Sequence, residues 1–262
     1  MISVSNILGR KNGEKIVMIT AYDALFAKLF DEFVDIILVG DSLNMSFGGH
    51  KDTLNLSLEA MIYHASAVKR ATKHALVVAD MPFGTTVSEK KALNSAIKLY
   101  KKAGVDAVKI EGGTNIAPVI RRLSDEGIAV MAHIGLRPQQ SRIEGGYKIK
   151  GRREEDKKML FDDLAAVTDA GAFCVVLEGT LRSLSDEISK KSKIPTIGIG
   201  SSANCDGQVL VWSDMLGFYD EFKPKFVKHY LNGANLVREA VQKYAEEVRA
   251  GVFPSKEFEY EK

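Results

Sequence analysis

The chain has 262 residues, of which 45% are hydrophobic and 27% are charged, a composition that supplies a sizeable core and excludes a largely disordered chain. Its 36 basic and 34 acidic residues leave a formal charge of +2, which gives no strong field for attracting nucleic acid or a membrane. The two cysteines, Cys174 and Cys205, have neither metal-site nor disulfide spacing. With no leader pattern and no apolar stretch of membrane-spanning length, the sequence predicts a cytoplasmic protein.

Eight short hydrophobic runs, most of them rich in valine and isoleucine, predict strands buried on both faces. In chain order they are Ile16–Thr20, Ile36–Asp41, Ala75–Asp80, Ala107–Glu111, Ala129–His133, Cys174–Glu178, Pro195–Gly200 and Val209–Trp212. Amphipathic stretches between most of them predict helices over residues 24–33, 57–72, 89–103, 116–126, 154–170 and 182–191. This alternation predicts a (β/α)8 TIM barrel, an α/β fold, in one domain over residues 1–262 with a short N-terminal extension and a charged C-terminal tail.

Two segments fall outside the alternation. Apolar residues from Phe226 to Val248 recur at spacings of three and four, which predicts a long helix after the last strand. We expect its apolar stripe to face the core, with a partner-binding groove as the alternative. The stretch from Gly135 to Arg153 shows neither helix nor strand pattern, so it is interpreted either as a lid over a site or as an ordinary surface loop.

Polar side chains end five of the eight runs: Asp41, Asp80, Glu111, His133 and Glu178. Because the carboxyl ends of parallel strands meet at one end of a barrel, these groups are expected to gather where such enzymes do their chemistry. Alternation along a strand places Lys109 on the same face as Glu111, and Asp41 on the same face as Ile37 and Val39.

Three of these residues, Asp41, Asp80 and Glu111, are oxygen donors without an accompanying pair of thiolates, which suits Mg²⁺ better than zinc. Each acid taken singly is equally typical of a turn or a helix N-cap, and a single histidine of a satisfied core residue. The presence of several acids, a lysine and a histidine at successive strand ends favours a metal-assisted site.

A glycine-rich segment, Gly198–Ala203, has the spacing of a dinucleotide-binding loop. The residues after it, Asn204–Gly207, do not open a helix whose N-terminus would hold a pyrophosphate. A nicotinamide-dependent enzyme is therefore not favoured.

Eight motifs occur in order over nearly the whole chain: Thr20–Ala24, Leu38–Leu43, Met61–His64, Ala79–Phe83, Val108–Gly113, His133–Leu136, Gly145–Tyr147 and Cys205–Val211. Together they resemble the motifs of the ketopantoate hydroxymethyltransferase family. The resemblance implies a TIM barrel of the phosphoenolpyruvate/pyruvate-binding type. It also implies transfer of a hydroxymethyl group from 5,10-methylenetetrahydrofolate to 3-methyl-2-oxobutanoate, giving 2-dehydropantoate for pantothenate and coenzyme A synthesis.

The resemblance also implies the roles of individual residues. Magnesium is expected on Asp41, Asp80 and Glu111, and Glu178 is expected to be the proton acceptor. The residues expected at the ketoacid are Asp41, Ser42, Asp80 and Lys109, with His133 beside it. The partners implied are the two small-molecule substrates and further copies of the chain in a homodecamer, with neither nucleic acid nor membrane.

Two places depart from the pattern common in that family. Ser201 and Ser202 stand where small Ala-Gly residues are common, and Asn44 stands where a small residue is common. Extra bulk there bears on folate affinity. Two alternatives remain open: another Mg²⁺-dependent 2-oxoacid carbon–carbon lyase that uses no folate, and a non-catalytic binding barrel. The intact set of acids and lysine argues against the second.

Overall fold

The computed structural model of the protein describes residues 1–219 and 223–260. Eight parallel strands pair in chain order and close into a barrel, with the first strand beside the eighth. The strands are β1 (Ile16–Thr20), β2 (Ile36–Val39), β3 (Leu76–Asp80), β4 (Ala107–Glu111), β5 (Val130–Gly135), β6 (Cys174–Glu178), β7 (Thr196–Ile199) and β8 (Gly207–Leu210). The predicted TIM barrel is confirmed, although β8 lies two residues earlier than predicted.

Helices connect the strands. Those before β8 are α1 (Val4–Leu8), α2 (Ala24–Phe30), α3 (Leu43–Ser46), α4 (Leu58–Ala71), α5 (Glu89–Lys98), α6 (Ala117–Asp125), α7 (Ser141–Glu144), α8 (Glu154–Asp169) and α9 (Arg182–Lys191). A π-helical turn, Leu99–Ala103, continues α5 to the predicted end. All six predicted connecting helices are present, whereas α1, α3 and α7 are too short to show a period. Among the described residues, no helix has both the length and the apolar character needed to cross a membrane.

Helix starts are set by side chains that accept hydrogen bonds from free backbone N–H groups. Ser57 Oγ accepts from Ala60 N at the start of α4, and Ser88 Oγ accepts from Lys91 N at the start of α5. Asp23 Oδ1 accepts from the N–H groups of Leu25 and Phe26 in α2. These caps set the last residue of each loop that follows β1, β2 and β3.

Apolar side chains fill the inside of the barrel, and every strand contributes at least one of them. The buried cluster contains Ile7, Ile16, Met18, Ile36, Leu38, Leu76, Val78, Ala107, Met131, Phe173, Cys174, Val176, Ile197 and Val209. Ile7 comes from α1, so the N-terminal extension packs into this core. Because side chains alternate along a strand, the next inward positions on β3, β4, β5 and β6 are polar.

A buried carboxylate, Asp206, closes the seam between the last strands and the N-terminal extension. It pairs with Lys11 at 2.8 Å and accepts from Asn12 N at 2.9 Å and Thr196 N at 2.8 Å. Burial opposes its ionisation, but the hydrogen bonds from Lys11, Thr196 and Asn12 outweigh that and hold the pKa of Asp206 below its usual range. The base of the barrel is thus tied by a carboxylate that stays charged.

The chain divides into two compact units, Met1–Val211, which contains the whole barrel, and Trp212–Lys262. The second unit holds α10 (Trp212–Met215), α11 (Gly233–Arg249) and a short 3-10 helix, Lys256–Phe258. In this unit Gly233 N donates to the Leu216 carbonyl at 2.9 Å. The prediction of one domain over 1–262 stays a prediction, and the last two residues of the predicted tail lie outside the described residues.

The predicted C-terminal helix is confirmed only from Gly233 onward. Its apolar stripe is not buried: Val237, Val241, Tyr244 and Val248 are between 45% and 59% exposed. The expectation that this stripe faces the core is therefore wrong for the single chain. Hydrophobic period alone specifies which side chains share a face, and not what covers that face.

Candidate active site

Four of the predicted site residues project from strand ends into the mouth of the barrel. Asp80 continues the inward series of β3, and Lys109, His133 and Glu178 continue those of β4, β5 and β6. Asp80 is the register partner of Lys109. Burial at this depth is the condition under which charged groups must find partners.

Lys109 is the positive centre of the group. Its Nζ lies 3.0 Å from Asp80 Oδ1 and 3.1 Å from His133 Nδ1. A lysine ammonium has only donors, so His133 Nδ1 accepts and the imidazole proton lies on Nε2. His133 Nε2 lies 3.2 Å from Glu178 Oε2, without the geometry of a hydrogen bond.

The charges of these groups follow from their surroundings. Burial, followed by the charge of Lys109, holds the pKa of His133 well below its usual value, so the imidazole is neutral. Burial alone would lower the pKa of Lys109, but Asp80, Glu111 and Asp41 raise it further than burial lowers it. Lys109 is therefore the one permanent cation among them.

A glycine lets β5 and β6 approach closely beside this group. Gly135 has a φ of +97°, and a Cβ there would lie 2.3 Å from the Glu178 carbonyl oxygen. Gly135 is also the register partner of Glu178. A side chain at position 135 would push away the backbone of Glu178, which gives the glycine of the His133–Leu136 motif a physical reason.

Asp41 reaches the mouth by a different route from the one expected. Ile36 and Leu38 are the inward residues of β2, so the face of Ile37 and Val39 points away from the interior, and the alternation argument for Asp41 is wrong. The strand ends at Val39, and the turn at Gly40 redirects the chain. Asp41 N then donates to Asp80 Oδ2 at 2.9 Å in a buried contact.

Ser42 lies beside Asp41 and is held by a tyrosine from the end of β1. Tyr22 is fully buried, and its hydroxyl lies 2.8 Å from Ser42 Oγ. The ring of His64 contacts the Tyr22 carbonyl oxygen through Nδ1 at 2.6 Å. Two of the motifs, around Tyr22 and His64, thus act together to position the serine.

Gln139, from the segment 135–153, was not predicted as a site residue. Its backbone N–H donates to Glu111 Oε2 at 3.0 Å, and its Nε2 donates to Asp41 Oδ2 at 2.8 Å and to the Met81 carbonyl at 3.1 Å. One residue thus links two of the predicted metal acids. The only sequence signal for it is its place in the long segment after β5, because glutamine itself carries no distinctive pattern.

The segment 135–153 is ordered by short helices and by ion pairs, unlike the structureless loop that the sequence indicated. It contains the 3-10 turn Pro138–Gln140 and α7. Arg142 pairs with Asp52 of the loop between β2 and α4 at 2.8 Å, and Lys150 pairs with Glu144 at 2.5 Å. We call residues 135–153 the lid segment, because Gln139 lies against the acids at the mouth.

Negative charge exceeds positive charge in this mouth. Asp41, Asp80, Glu111 and Glu178 face one lysine and a neutral histidine. Burial and then the Asp80 charge raise the pKa of Asp41 to about 7, and burial raises that of Glu178 to about 7 against an opposing effect of Lys109. Burial, then Asp41, raises the pKa of Glu111 well above its usual value. The site therefore takes up protons unless a cation enters.

A divalent cation fits this arrangement. The donors are hard oxygens, as Mg²⁺ prefers, and Asp80 Oδ1 is buried without a hydrogen bond of good geometry although Lys109 Nζ is close. Within residues 1–219 and 223–260, no three acid, histidine or cysteine side chains are already arranged as a ligand cluster. The charge excess, rather than a preformed cage, is what indicates a cation.

The positions that depart from the family pattern have local roles. Asn44 is buried, and its amide donates to the Asp52 carbonyl at 2.6 Å. Ser201 Oγ donates to Ser185 Oγ at 2.7 Å, and Ser202 Oγ donates to the Asp186 carboxylate. These hydroxyl and amide groups tie loops to the barrel, so their added bulk is engaged in structural contacts.

Several solved structures have the same fold. One is 2,3-dimethylmalate lyase, a PEP mutase/isocitrate lyase superfamily member, which matches with a TM-score of 0.63 at 19% identity over 99% of this chain and 89% of its own. Another is phosphonopyruvate hydrolase in complex with oxalate and Mg²⁺, with a TM-score of 0.63 at 13% identity over 98% and 93%. The chain has the fold of these proteins.

Sequence comparison narrows the class to a family. The sequence model described as ketopantoate hydroxymethyltransferase matches residues 2–256. The chain is 58% identical to 3-methyl-2-oxobutanoate hydroxymethyltransferase of Campylobacter fetus over 100% of this chain and 99% of that protein. It is 52% identical to the protein of the same name in Helicobacter pylori, over 97% and 94%. The chain belongs to the ketopantoate hydroxymethyltransferase family.

The raised carboxyl pKa values predict how stability changes with pH. A carboxyl whose pKa is raised by folding stabilises the protein below its ordinary pKa of about 4, and this contribution is lost as the pH rises through its folded value of about 7. His133 has the opposite slope below its ordinary pKa, so a variant comparison is needed to isolate the acids.

In metal-free buffer, we expect the melting temperature of the Asp41→Asn/Glu178→Gln variant to rise relative to that of the wild type as the pH goes from 5 to 8. The expected change in this difference is roughly 5 °C. Added Mg²⁺ should narrow the gap at pH 8, because it neutralises the wild-type acids. Scanning fluorimetry at constant ionic strength measures both. A difference between the two proteins that is the same at pH 5 and pH 8 would contradict the charge excess.

Proposed function

We propose that the protein makes 2-dehydropantoate from 3-methyl-2-oxobutanoate, 5,10-methylenetetrahydrofolate and water, releasing tetrahydrofolate, in pantothenate synthesis. The observation that carries the proposal is the set Asp41, Asp80, Lys109, Glu111 and Glu178, gathered at one end of the barrel in a chain of this family, with Asp41, Asp80 and Lys109 buried. The relatives named above act, by name, on 3-methyl-2-oxobutanoate. Every acid or cation that the resemblance requires is present in one barrel mouth.

Asp41, Asp80 and Glu111 are the residues that would hold Mg²⁺, as the charge excess and the donor type support. The ion supplies Lewis-acid stabilisation for the enolate charge and a contact for the ketoacid oxygens. The relationship of the fold to a hydrolase bound to oxalate and Mg²⁺ supports this assignment, because oxalate is also a small dicarbonyl acid.

Lys109 would bind the ketoacid by its charge, since it remains an ammonium between Asp80 and His133. His133 accepts from this ammonium through Nδ1, and its Nε2 lies 3.2 Å from Glu178 Oε2. Ser42, fixed by Tyr22, adds a neutral donor or acceptor beside Asp41. These fixed groups orient the substrate, and orientation of two reactants supplies much of the rate in such reactions.

Glu178 would take the proton from C3 of the ketoacid. The electron pair of that C–H bond then forms the C2–C3 double bond of the enolate. C3 bonds to the one-carbon unit, both C–N bonds of that unit to the folate break, and water supplies the hydroxyl oxygen. The proton from C3 and one proton from water end on the two folate nitrogens, which gives tetrahydrofolate. A carboxyl with a pKa of about 7 is well matched to a general base at neutral pH. His133 is poorly suited to the role, because Lys109 occupies its Nδ1 lone pair and Nε2 carries the proton.

The homodecamer and the cytoplasmic location implied by the resemblance are part of this proposal and rest on the resemblance alone. The alternative reaction, a carbon–carbon lyase of the same fold, uses no folate. Measuring 2-dehydropantoate formed from the ketoacid with methylenetetrahydrofolate, with and without Mg²⁺, separates the two: product formation that depends on both supports the proposal, and cleavage of a larger acid without folate contradicts it.

The metal assignment predicts that Asp41→Ala and Asp80→Ala each lower kcat by at least about 100-fold, because each removes an oxygen ligand from the ion that stabilises the enolate. Glu111→Gln should be milder if Glu111 acts through a bound water. Asp162→Ala, an exposed acid on α8, is the matched control. Circular dichroism checks the fold, and activity near wild type at limiting Mg²⁺ in either alanine variant would refute the assignment.

The base assignment predicts that Glu178→Gln keeps Mg²⁺-dependent ketoacid binding and lowers exchange of the C3 hydrogen by about 100-fold or more. The exchange is followed by NMR in deuterated water without folate. In the wild type the exchange rate should rise with pH through about 7, because Glu178 must lose its proton first. If Glu178→Gln exchanges as fast as the wild type, His133 becomes the next candidate.

The lid segment predicts a protease result. Arg142 is 74% exposed in its side chain and lies three residues after Gln139, so trypsin can cleave there. Binding of Mg²⁺ and both substrates should slow this cleavage several-fold, because the segment closes over a site that must exclude water. Cleavage at an exposed lysine of α11, Lys243, is the internal control. Equal cleavage with and without ligands would favour an ordinary surface loop.

A further inference from the structure

A second concavity lies beside the proposed active site, and no role has been given to it so far. It has a volume of about 610 Å³, and the loops that follow β2 and β3, together with α5, line it. Its lining includes Leu56, Phe83, Lys90, Lys91 and Lys98. The first loop contains Asp41 and the second directly follows Asp80, so segments that leave the mouth also line the cavity.

The distance between the two is short. Phe83 lines the cavity and is three residues after Asp80. A chain spans at most about 3.6 Å per residue, so the two Cα atoms are within roughly 11 Å. A ligand that reacts at the mouth and carries a tail longer than this distance is long enough to reach the cavity.

The cavity is basic. Lys90, Lys91 and Lys98 line it, no lining residue is acidic, and none of the three lysines pairs with a carboxylate among the residues described. In contrast, Lys109, Lys11, Lys69 and Lys150 each have a carboxylate within 3.0 Å. Glu59 and Glu89, in the first turns of α4 and α5, do not line the cavity. Three unpaired cations around one concavity attract an anion with several charges.

An aromatic ring completes the surface. Phe83 is 54% exposed, whereas Leu56 beside it is buried. An exposed phenyl face next to cationic groups suits a ligand with an aromatic part and a chain of carboxylates, because the ring stacks and the lysines pair with the acids.

We propose that this basic cavity binds the p-aminobenzoyl-glutamate end of the folate cosubstrate, with Lys90, Lys91 and Lys98 taking the carboxylates of its γ-linked glutamate tail. The inference rests on the proposed function, which supplies a folate at the mouth. Each added glutamate brings one more carboxylate, so a triglutamate form should bind more tightly than the monoglutamate. The cavity thus selects among forms of the cosubstrate without touching the reacting atoms.

The test reverses charge where helix geometry tolerates it. Lys90 and Lys91 lie in the first turn of α5, where glutamate is favourable to the helix dipole, so Lys90→Glu/Lys91→Glu should fold. The matched control, Lys190→Glu/Lys193→Glu, makes the same charge change at two exposed positions. Lys190 lies in the last turn of α9, and Lys193 lies just after that helix. Lys90→Gln/Lys91→Gln tests loss of charge without reversal.

We expect the glutamate variant to raise the KM for methylenetetrahydrofolate triglutamate about tenfold and for the monoglutamate about threefold. The glutamine variant should fall between it and the wild type. In all variants kcat, the KM for the ketoacid and the folate-free C3 exchange should stay within about twofold of the wild type. In the wild type, added salt should raise the triglutamate KM more steeply than the monoglutamate KM.

A triglutamate KM within twofold of wild type in the glutamate variant would overturn the proposal, as would equal KM changes for the two folates. An equal effect from the control pair would also overturn it, because the cause would then be net charge. These outcomes differ from failure of the proposed function, in which the wild type itself makes no 2-dehydropantoate from either folate.

Discussion

The structure of the mouth depends on one imbalance of charge. Four carboxylates, Asp41, Asp80, Glu111 and Glu178, surround Lys109 in a space that excludes most water. In such surroundings two carboxylates cannot both be ionised without a counter-charge, so each raises the pKa of the other. Protons, a divalent cation or an ammonium group must supply the difference. The donors of Gln139 respond to this imbalance by placing N–H groups against two of the carboxylates, whereas His133 stays neutral because of its burial and the charge of Lys109.

The lid segment connects the charged groups at the mouth to the loops outside the barrel. Gln139 donates to Asp41 and Glu111, and Arg142, three residues on, pairs with Asp52 of the loop after β2. Two residues one helical turn apart, Gln139 and Arg142, thus contact proposed metal acids on one side and a loop on the other. A change of charge among the acids alters what Gln139 can donate to, so the state of the site and the position of the segment are physically coupled.

The fold and most of the site could be predicted from the sequence, because buried strands require recognisable runs of apolar residues. Apolar runs located all eight strands, and Asp80, Lys109, His133 and Glu178 continue strands whose inward positions are fixed by alternation. Asp41 escaped that logic, since it follows a turn at Gly40. Gln139 left no signal, because its role depends on a loop conformation. The prediction for the exposed apolar stripe of α11 was wrong for a related reason. The hydrophobic period shows which side chains share one face of the helix, and it does not show what packs against that face.

Asp206 lies at the end of the barrel opposite these acids. Its ties to Lys11, Asn12 and Thr196 close the seam where β8 meets the N-terminal extension, and they use a carboxylate that remains ionised without help from a ligand. The carboxylate that stabilises the closed barrel, Asp206, is therefore separate from the acids proposed to act in the reaction. Substitutions in the loops at the mouth can change which ketoacid is bound while the contacts of Asp206 keep the barrel closed. This separation makes the barrel a favourable starting point for acquiring new substrates.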